Sequence, residues 1–102
     1  MKQFSGVANE EPKPKFWGGR LVITLNALKK LVPEDIQDSI NRHLSGDWGD
    51  LTALDKGANK RALEYGGRLF SIYRDRKGVK FWITTESDRI TTTVRLRKIT
   101  RD

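Results

Sequence analysis

Three groups of side chains in this sequence are of types that do chemistry. In the last third, Ser71, Tyr73, Lys80, Trp82, Thr84, Thr91, Thr93, Arg95 and Arg97 recur at alternate positions of β-branched and aromatic runs, with Lys98 just beyond. A period of two places such residues on one face of a sheet. Ammonium and guanidinium groups hold phosphates, and an indole or phenol offers a plane on which a base can stack. Tyr73, Lys80, Trp82, Arg95, Arg97 and Lys98 are therefore the candidate nucleic-acid-binding residues. The second group is the acidic, glycine-punctuated turn of Asp47, Trp48 and Asp50. A tryptophan there either plugs the end of a core or projects as a knob that a protein partner recognises. The third is His43, the sole histidine, which is expected near a helix C-terminus where it complements the dipole.

Other chemistry is excluded or thinly supported. The chain has no cysteine, which rules out thiolate catalysis, disulfides and cysteine-bearing zinc sites. It carries no metal-ligand spacing, phosphate-cradling glycine loop or nucleophile elbow, so no catalytic residue, metal or cofactor is expected. One enzymatic reading stays open. A metal-independent endoribonuclease needs only positioned donors around a phosphorane-like transition state, and Arg68, Tyr73, Arg74, Lys80 and Arg95 would be the candidates.

The elements that must position these groups follow from pattern. The 102 residues allow one domain with one modest core. Residues 1–15, with two prolines and no apolar period, read as a flexible tail ahead of a single α+β domain over 16–102. Arg20 to Leu25 (RLVITL) reads as a first strand, and Asn26 is placed to cap a short helix through Leu31. Pro33, Glu34 and Asp35 start a helix over about 33–44 with Ile36, Ile40 and Leu44 on one face. Thr52 and Asp55 form a capping-box variant opening a third helix, with Leu54, Ala58, Ala62 and Tyr65 as its expected core stripe and Gly66 and Gly67 at its end. Asn59 is a poor helix former in mid-helix and should reach a polar neighbour.

Three β-rich runs then follow, separated by Asp75 to Gly78 and by Glu86 to Arg89, and they predict a three-stranded antiparallel meander packed on the helices. With even-length turns, Phe70, Ile72, Val79, Phe81, Ile83, Val94 and Leu96 share the core face. Ser71, Tyr73, Lys80, Trp82, Thr93 and Arg95 share the other, and Lys80 lies directly opposite Arg95. Like charges in that position destabilise a sheet unless an anion sits between them.

Charge supports the same partner class. The net charge of +7 is uneven: residues 1–32 hold six basic against two acidic groups, 33–65 four against seven, and 66–102 ten against four. A basic C-terminal third favours a polyanion, RNA or DNA. No apolar run is long enough for a membrane span, and the start lacks a signal-peptide core, so a cytoplasmic protein without membrane partners is expected.

The stretch from His43 to Leu51 (HLSGDWGDL), then Asp55, Asn59, Leu63, Gly67, Arg68, Ser71, Tyr73 and Gly78, then Trp82 to Glu86 (WITTE), Asp88, Arg89, Thr92 and Thr93, resembles a family of small bacterial proteins. That family is carried on plasmids, prophages and integrative elements, and the resemblance spans residues 18–97. It implies a mobile-element setting. The basic run from Arg95 to Arg101 departs from the family, whose members end in a shorter, more acidic segment. The order strand, helices, meander is also similar to that of RelE/ParE-type toxins, although no catalytic motif of theirs maps onto this chain. The expectation is a nucleic-acid-associated protein of a mobile element, the alternatives being a RelE-like endoribonuclease toxin and a protein-binding inhibitor of a host complex.

Overall fold

The computed structural model describes residues 13–96. In chain order the elements are β1 (Arg20–Ile23), α1 (Leu25–Lys30), α2 (Pro33–Leu44), α3 (Ala53–Tyr65), β2 (Leu69–Arg74), β3 (Lys80–Thr85) and β4 (Thr91–Leu96). The protein is α+β. The expected meander of β2, β3 and β4 is present, but it is part of a four-stranded mixed sheet ordered β1-β4-β3-β2, in which β1 runs parallel to β4. Arg97 and Lys98, and the tail up to residue 12, lie outside the described residues. Lys15 already belongs to the fold, since its N–H donates to the Leu44 carbonyl at 2.7 Å.

Local chemistry accounts for the helices. Thr24, not Asn26, caps α1, its hydroxyl accepting from the Ala27 N–H at 3.3 Å. In α2, Pro33 takes the first position, where its missing N–H costs nothing, Glu34 and Asp35 face the positive end of the dipole, and Ile36 and Ile40 are buried. Thr52 caps α3 by accepting from the Asp55 N–H at 3.1 Å. The buried stripe of α3 differs from expectation. Asn59 and Ala62 are buried and Leu63 half-buried, whereas Leu54, Ala58 and Tyr65 are exposed.

Asn59 explains that rotation. Its amide nitrogen donates to the Phe70 carbonyl at 2.7 Å, and its amide oxygen accepts from the Phe70 N–H at 3.3 Å. One side chain thus does for β2 what a neighbouring strand would do. Two residues on, the Ile72 N–H donates to the Trp48 carbonyl at 3.3 Å and the Ile72 carbonyl accepts from the Asp50 N–H at 2.8 Å. The outward backbone groups of β2 at both positions are satisfied, and this edge of the sheet is closed.

The face assignment holds on two strands and reverses on the third. Phe81, Ile83 and Val94 are fully buried and join Ala27, Leu31, Ile36 and Ile40 in the main core cluster, while Trp82 and Arg95 face the other way. On β2 the buried residues are Leu69, Ser71 and Tyr73, with Phe70 and Ile72 on the outer face. The reason is the first turn. Arg74 pairs with Lys80, leaving an odd loop in which the Asp75 N–H donates to the Val79 carbonyl, the Gly78 N–H donates to the Asp75 carbonyl, and Gly78 adopts φ 87°. A turn closed by a left-handed residue adds one position and swaps the faces beyond it. The second turn is even, with Thr85 opposite Thr92, so β3 and β4 keep their expected faces, although their register is two residues from that expected.

Candidate nucleic-acid interface

The sheet has two unlike faces. Inward, α1 and α2 supply the core. Outward lie Arg20 and Val22 from β1, Thr93 and Arg95 from β4, Lys80, Trp82 and Thr84 from β3, and Phe70, Ile72 and Arg74 from β2. Val22 and Trp82 enter neither core cluster. Trp82 sits at the centre of this face, opposite Ile72 on one side and Arg95 on the other, with the Phe70 ring centroid 6.3 Å from its own. Arg68, Phe70, Trp82 and Thr84 line a shallow cavity of about 270 Å³.

Two donors on this face are unmet. Trp82 Nε1 and Arg95 Nε are both shielded and have no hydrogen-bond partner among the described residues. Such groups carry a cost of about 1–3 kcal/mol each that an acceptor would remove. The surrounding cations are only lightly offset by acids. Arg74 lies 3.4 Å from Asp50 and Arg68 lies 3.6 Å from Glu86, both exposed pairs of little energetic weight, and among the described residues Arg20, Lys80 and Arg95 have no ion-pair partner.

Several sequence-derived assignments change. Lys80 does not face Arg95; it faces Arg74, and Arg95 faces Trp82, so the like-charge pair exists with a different member and Asp50 beside it. Tyr73 leaves the candidate interface altogether. It is buried on the helix face, its hydroxyl donates to the Asp47 carbonyl at 2.6 Å, and burial pushes its phenol well above the ordinary value. Of the set Arg68, Tyr73, Arg74, Lys80 and Arg95, Tyr73 therefore lies on the opposite face of the sheet from the other four.

The acidic turn also serves the fold. Trp48 is only 7% exposed and packs with Leu51, Ala62 and Leu69, stacked on Phe16 and edge-on to His43, so it plugs a second core instead of projecting toward a partner. Asp47 receives two hydrogen bonds from the Arg42 guanidinium, at 2.7 and 3.1 Å, and that pairing holds its carboxyl below the usual range. Gly49 passes so close to Ile72 and Tyr73 that a Cβ would stand 2.0 Å from the Ile72 carbonyl oxygen. Asp47, Trp48 and Asp50 together fasten this segment along β2.

His43 is fully buried inside a chain of hydroxyls. Thr92 Oγ1 donates to the Gly18 carbonyl at 2.7 Å, so Thr85 must donate its own hydrogen to Thr92, and Thr85 Oγ1 is left to accept from His43 Nε2 at 2.9 Å. The neutral imidazole then carries its hydrogen on Nε2, and Nδ1 accepts from Ser71 Oγ at 2.5 Å. Burial lowers its pKa from 6.5 to about 4, so it does not act as a cation at the helix end. Arg89, to which sequence patterning assigned no role, spends its charge internally. Its guanidinium donates to the carbonyls of Gly67 at 2.6 Å and Ala62 at 3.0 Å, tying the second turn to the end of α3.

Comparison with protein-family models, curated proteins and solved structures finds no match to this chain. Among the described residues, no helix is long and apolar enough to cross a membrane, and no group of His, Cys, Asp and Glu side chains is placed to hold a metal ion.

Proposed function

We propose that this protein binds single-stranded nucleic acid, with RNA preferred over duplex DNA, on the outer face of its sheet, within the bacterial mobile-element setting that the sequence resemblance implies. The observation that carries the reading is the centre of that face. Trp82 and Arg95 lie opposite each other with unmet donors, and Lys80, Arg74 and Arg68 lie on the same face around Trp82. Phosphate and base-edge oxygens are the acceptors such donors lack, and an open aromatic sheet suits bases that are unpaired and can be splayed onto it. A duplex hides its base planes, which is why single strands are favoured. The inhibitor alternative loses its main support because Trp48 is buried.

The test is a salt titration of affinity for a short, labelled, mixed-sequence RNA. Replacing Lys80 and Arg95 by glutamine should weaken binding and flatten the slope of log affinity against log salt by about 0.7 for each phosphate no longer neutralised. Trp82→Ala should cost about 1–3 kcal/mol of binding with a smaller change in slope. Equal affinities and slopes for wild type and both variants would end the proposal.

A further inference from the structure

The two edges of the sheet are treated differently. At β2 the outward backbone groups of Phe70 and Ile72 are occupied by Asn59, Trp48 and Asp50. At β1 the even-numbered residues point inward, the Arg20 N–H donating to the Ile90 carbonyl and the Thr24 N–H to the Val94 carbonyl. The alternation of a parallel ladder therefore aims the N–H and C=O of Leu21 and Ile23 outward, and nothing among the described residues pairs with them. Soluble proteins blunt such an edge with lysine, proline or a bulge. This edge carries Leu21 and Val22, both exposed, and is flanked by Trp17 at 78% exposure, Leu25 at 64% and Leu28. The apolar ground continues inward, where Leu21, Phe16, Trp17, Ile40 and Leu44 line a groove of about 310 Å³.

We infer that β1 is a dimer edge, pairing antiparallel with β1 of a second copy about a two-fold axis through Val22. The register follows from the strand itself. Placing Leu21 opposite the second copy's Ile23, and Ile23 opposite its Leu21, satisfies all four outward groups on each chain with four interchain hydrogen bonds. It puts Leu21 beside Ile23 on the inner face and Val22 beside Val22 on the outer face. Arg20, the only charged residue of the strand, falls opposite Thr24 instead of opposite itself. The strand is thus self-complementary in shape and charge, as a two-fold interface requires. The product is one eight-stranded sheet whose two outer faces adjoin. Both copies are strongly positive, so added salt should strengthen the dimer, the opposite of its effect on RNA binding.

Cysteine scanning tests the register, because the chain has no cysteine of its own. Val22 meets Val22 in a non-hydrogen-bonded pair, with a Cα separation of about 4.5 Å, within disulfide range. In full-length protein under oxidised glutathione, Val22→Cys should form a covalent dimer, and Leu21→Cys, whose neighbour is Ile23, should not. Sedimentation equilibrium of wild type should show a monomer–dimer equilibrium that shifts toward dimer between low and high salt. Leu21→Pro, which removes one outward N–H from each strand and so two of the four interchain hydrogen bonds while leaving the outer face unchanged, should be monomeric yet keep its affinity for a short RNA. A wild-type chain that stays monomeric at high salt and high concentration, or equal crosslinking of the two cysteine variants, would overturn the inference. The edge would then belong to a strand from another protein or from elsewhere in this chain. Loss of RNA binding by Lys80 and Arg95 variants that still dimerise, or the converse in Leu21→Pro, separates this interface from the nucleic-acid reading.

Discussion

Acid should weaken this fold through His43 before it touches the carboxylates. The imidazole is fully buried, accepts from Ser71 on one side, donates to Thr85 on the other, and has the rings of Phe16 and Trp48 edge-on to it. Burial lowers its pKa from 6.5 to about 4. Between those values the unfolded chain takes up the proton and the folded chain does not, so stability is complete above pH 6.5 and is lost as pH falls toward 4. At 1.36 kcal/mol per unit, the shift amounts to about 3 kcal/mol, a large fraction of the stability of a domain this size. Asp35 and Asp47, whose pKa values are lowered by Arg76 and Arg42, lose their contributions mainly below pH 4. So does Asp75, where burial acts upward but hydrogen bonds from the Val79, Val32 and Lys77 N–H groups together carry the pKa down. These losses fall equally on a His43 variant. The assay is urea unfolding followed by tryptophan fluorescence from pH 8 to pH 4, for wild type and for His43→Gln, which can accept from Ser71 and donate to Thr85 without titrating. The stability difference between them should move by about 3 kcal/mol across that window, in favour of the variant at low pH. Parallel curves, or an imidazole resonance titrating near 6.5 in the folded protein, would refute the reasoning.

Asn59→Leu should destabilise the protein by about 2–4 kcal/mol, because it leaves both the N–H and the carbonyl of Phe70 unpaired at a shielded edge, and chemical denaturation measures it. It should also raise the tendency to aggregate, since it reopens the closed side of the sheet. Gly78→Ala meets no neighbour but must adopt φ 87°, so its cost should be backbone strain alone, about 1–2 kcal/mol by thermal unfolding, with RNA affinity unchanged.

What could be read from the residue string was whatever period and short-range chemistry determine. The start and end of α2 follow from Pro33, the acidic first turn and the Ile36, Ile40 stripe, and the alternation on β3 and β4 identifies Phe81, Ile83 and Val94 as core with Trp82 and Arg95 opposite. The face of β2 was not legible. LFSIYR offers an apolar side chain at nearly every position, so the strand's own pattern barely chooses a face, and the decision passes to whether the Asp75–Val79 turn is odd. That turn is fixed by Asp75, whose Oδ1 accepts from the Lys77 and Val79 N–H groups while Oδ2 accepts from the N–H of Val32, 43 residues away. Asn59 stood out as a polar residue in mid-helix, but its partner is backbone and leaves no mark in composition. The same is true of His43, whose partners Ser71 and Thr85, with Thr92 behind Thr85, look like ordinary strand residues until the sheet gathers them.

The parallel pairing of β1 with β4 also sets an order of events during synthesis. Arg20 pairs with Thr91, 71 residues later in the chain. At ribosomal rates of roughly 5–20 residues per second, β1 waits about 4 to 14 seconds for its partner to be made. During that interval α2, α3 and the first hairpin can form from near neighbours, whereas Leu21, Val22 and Ile23 have no ladder to join. Closing the 71-residue separation between these strands carries the largest loop-closure entropy of the sheet's strand pairings. A nascent chain halted before Thr91 would present an apolar strand with both edges unpaired, the form that chaperones bind and neighbouring chains on one messenger can capture.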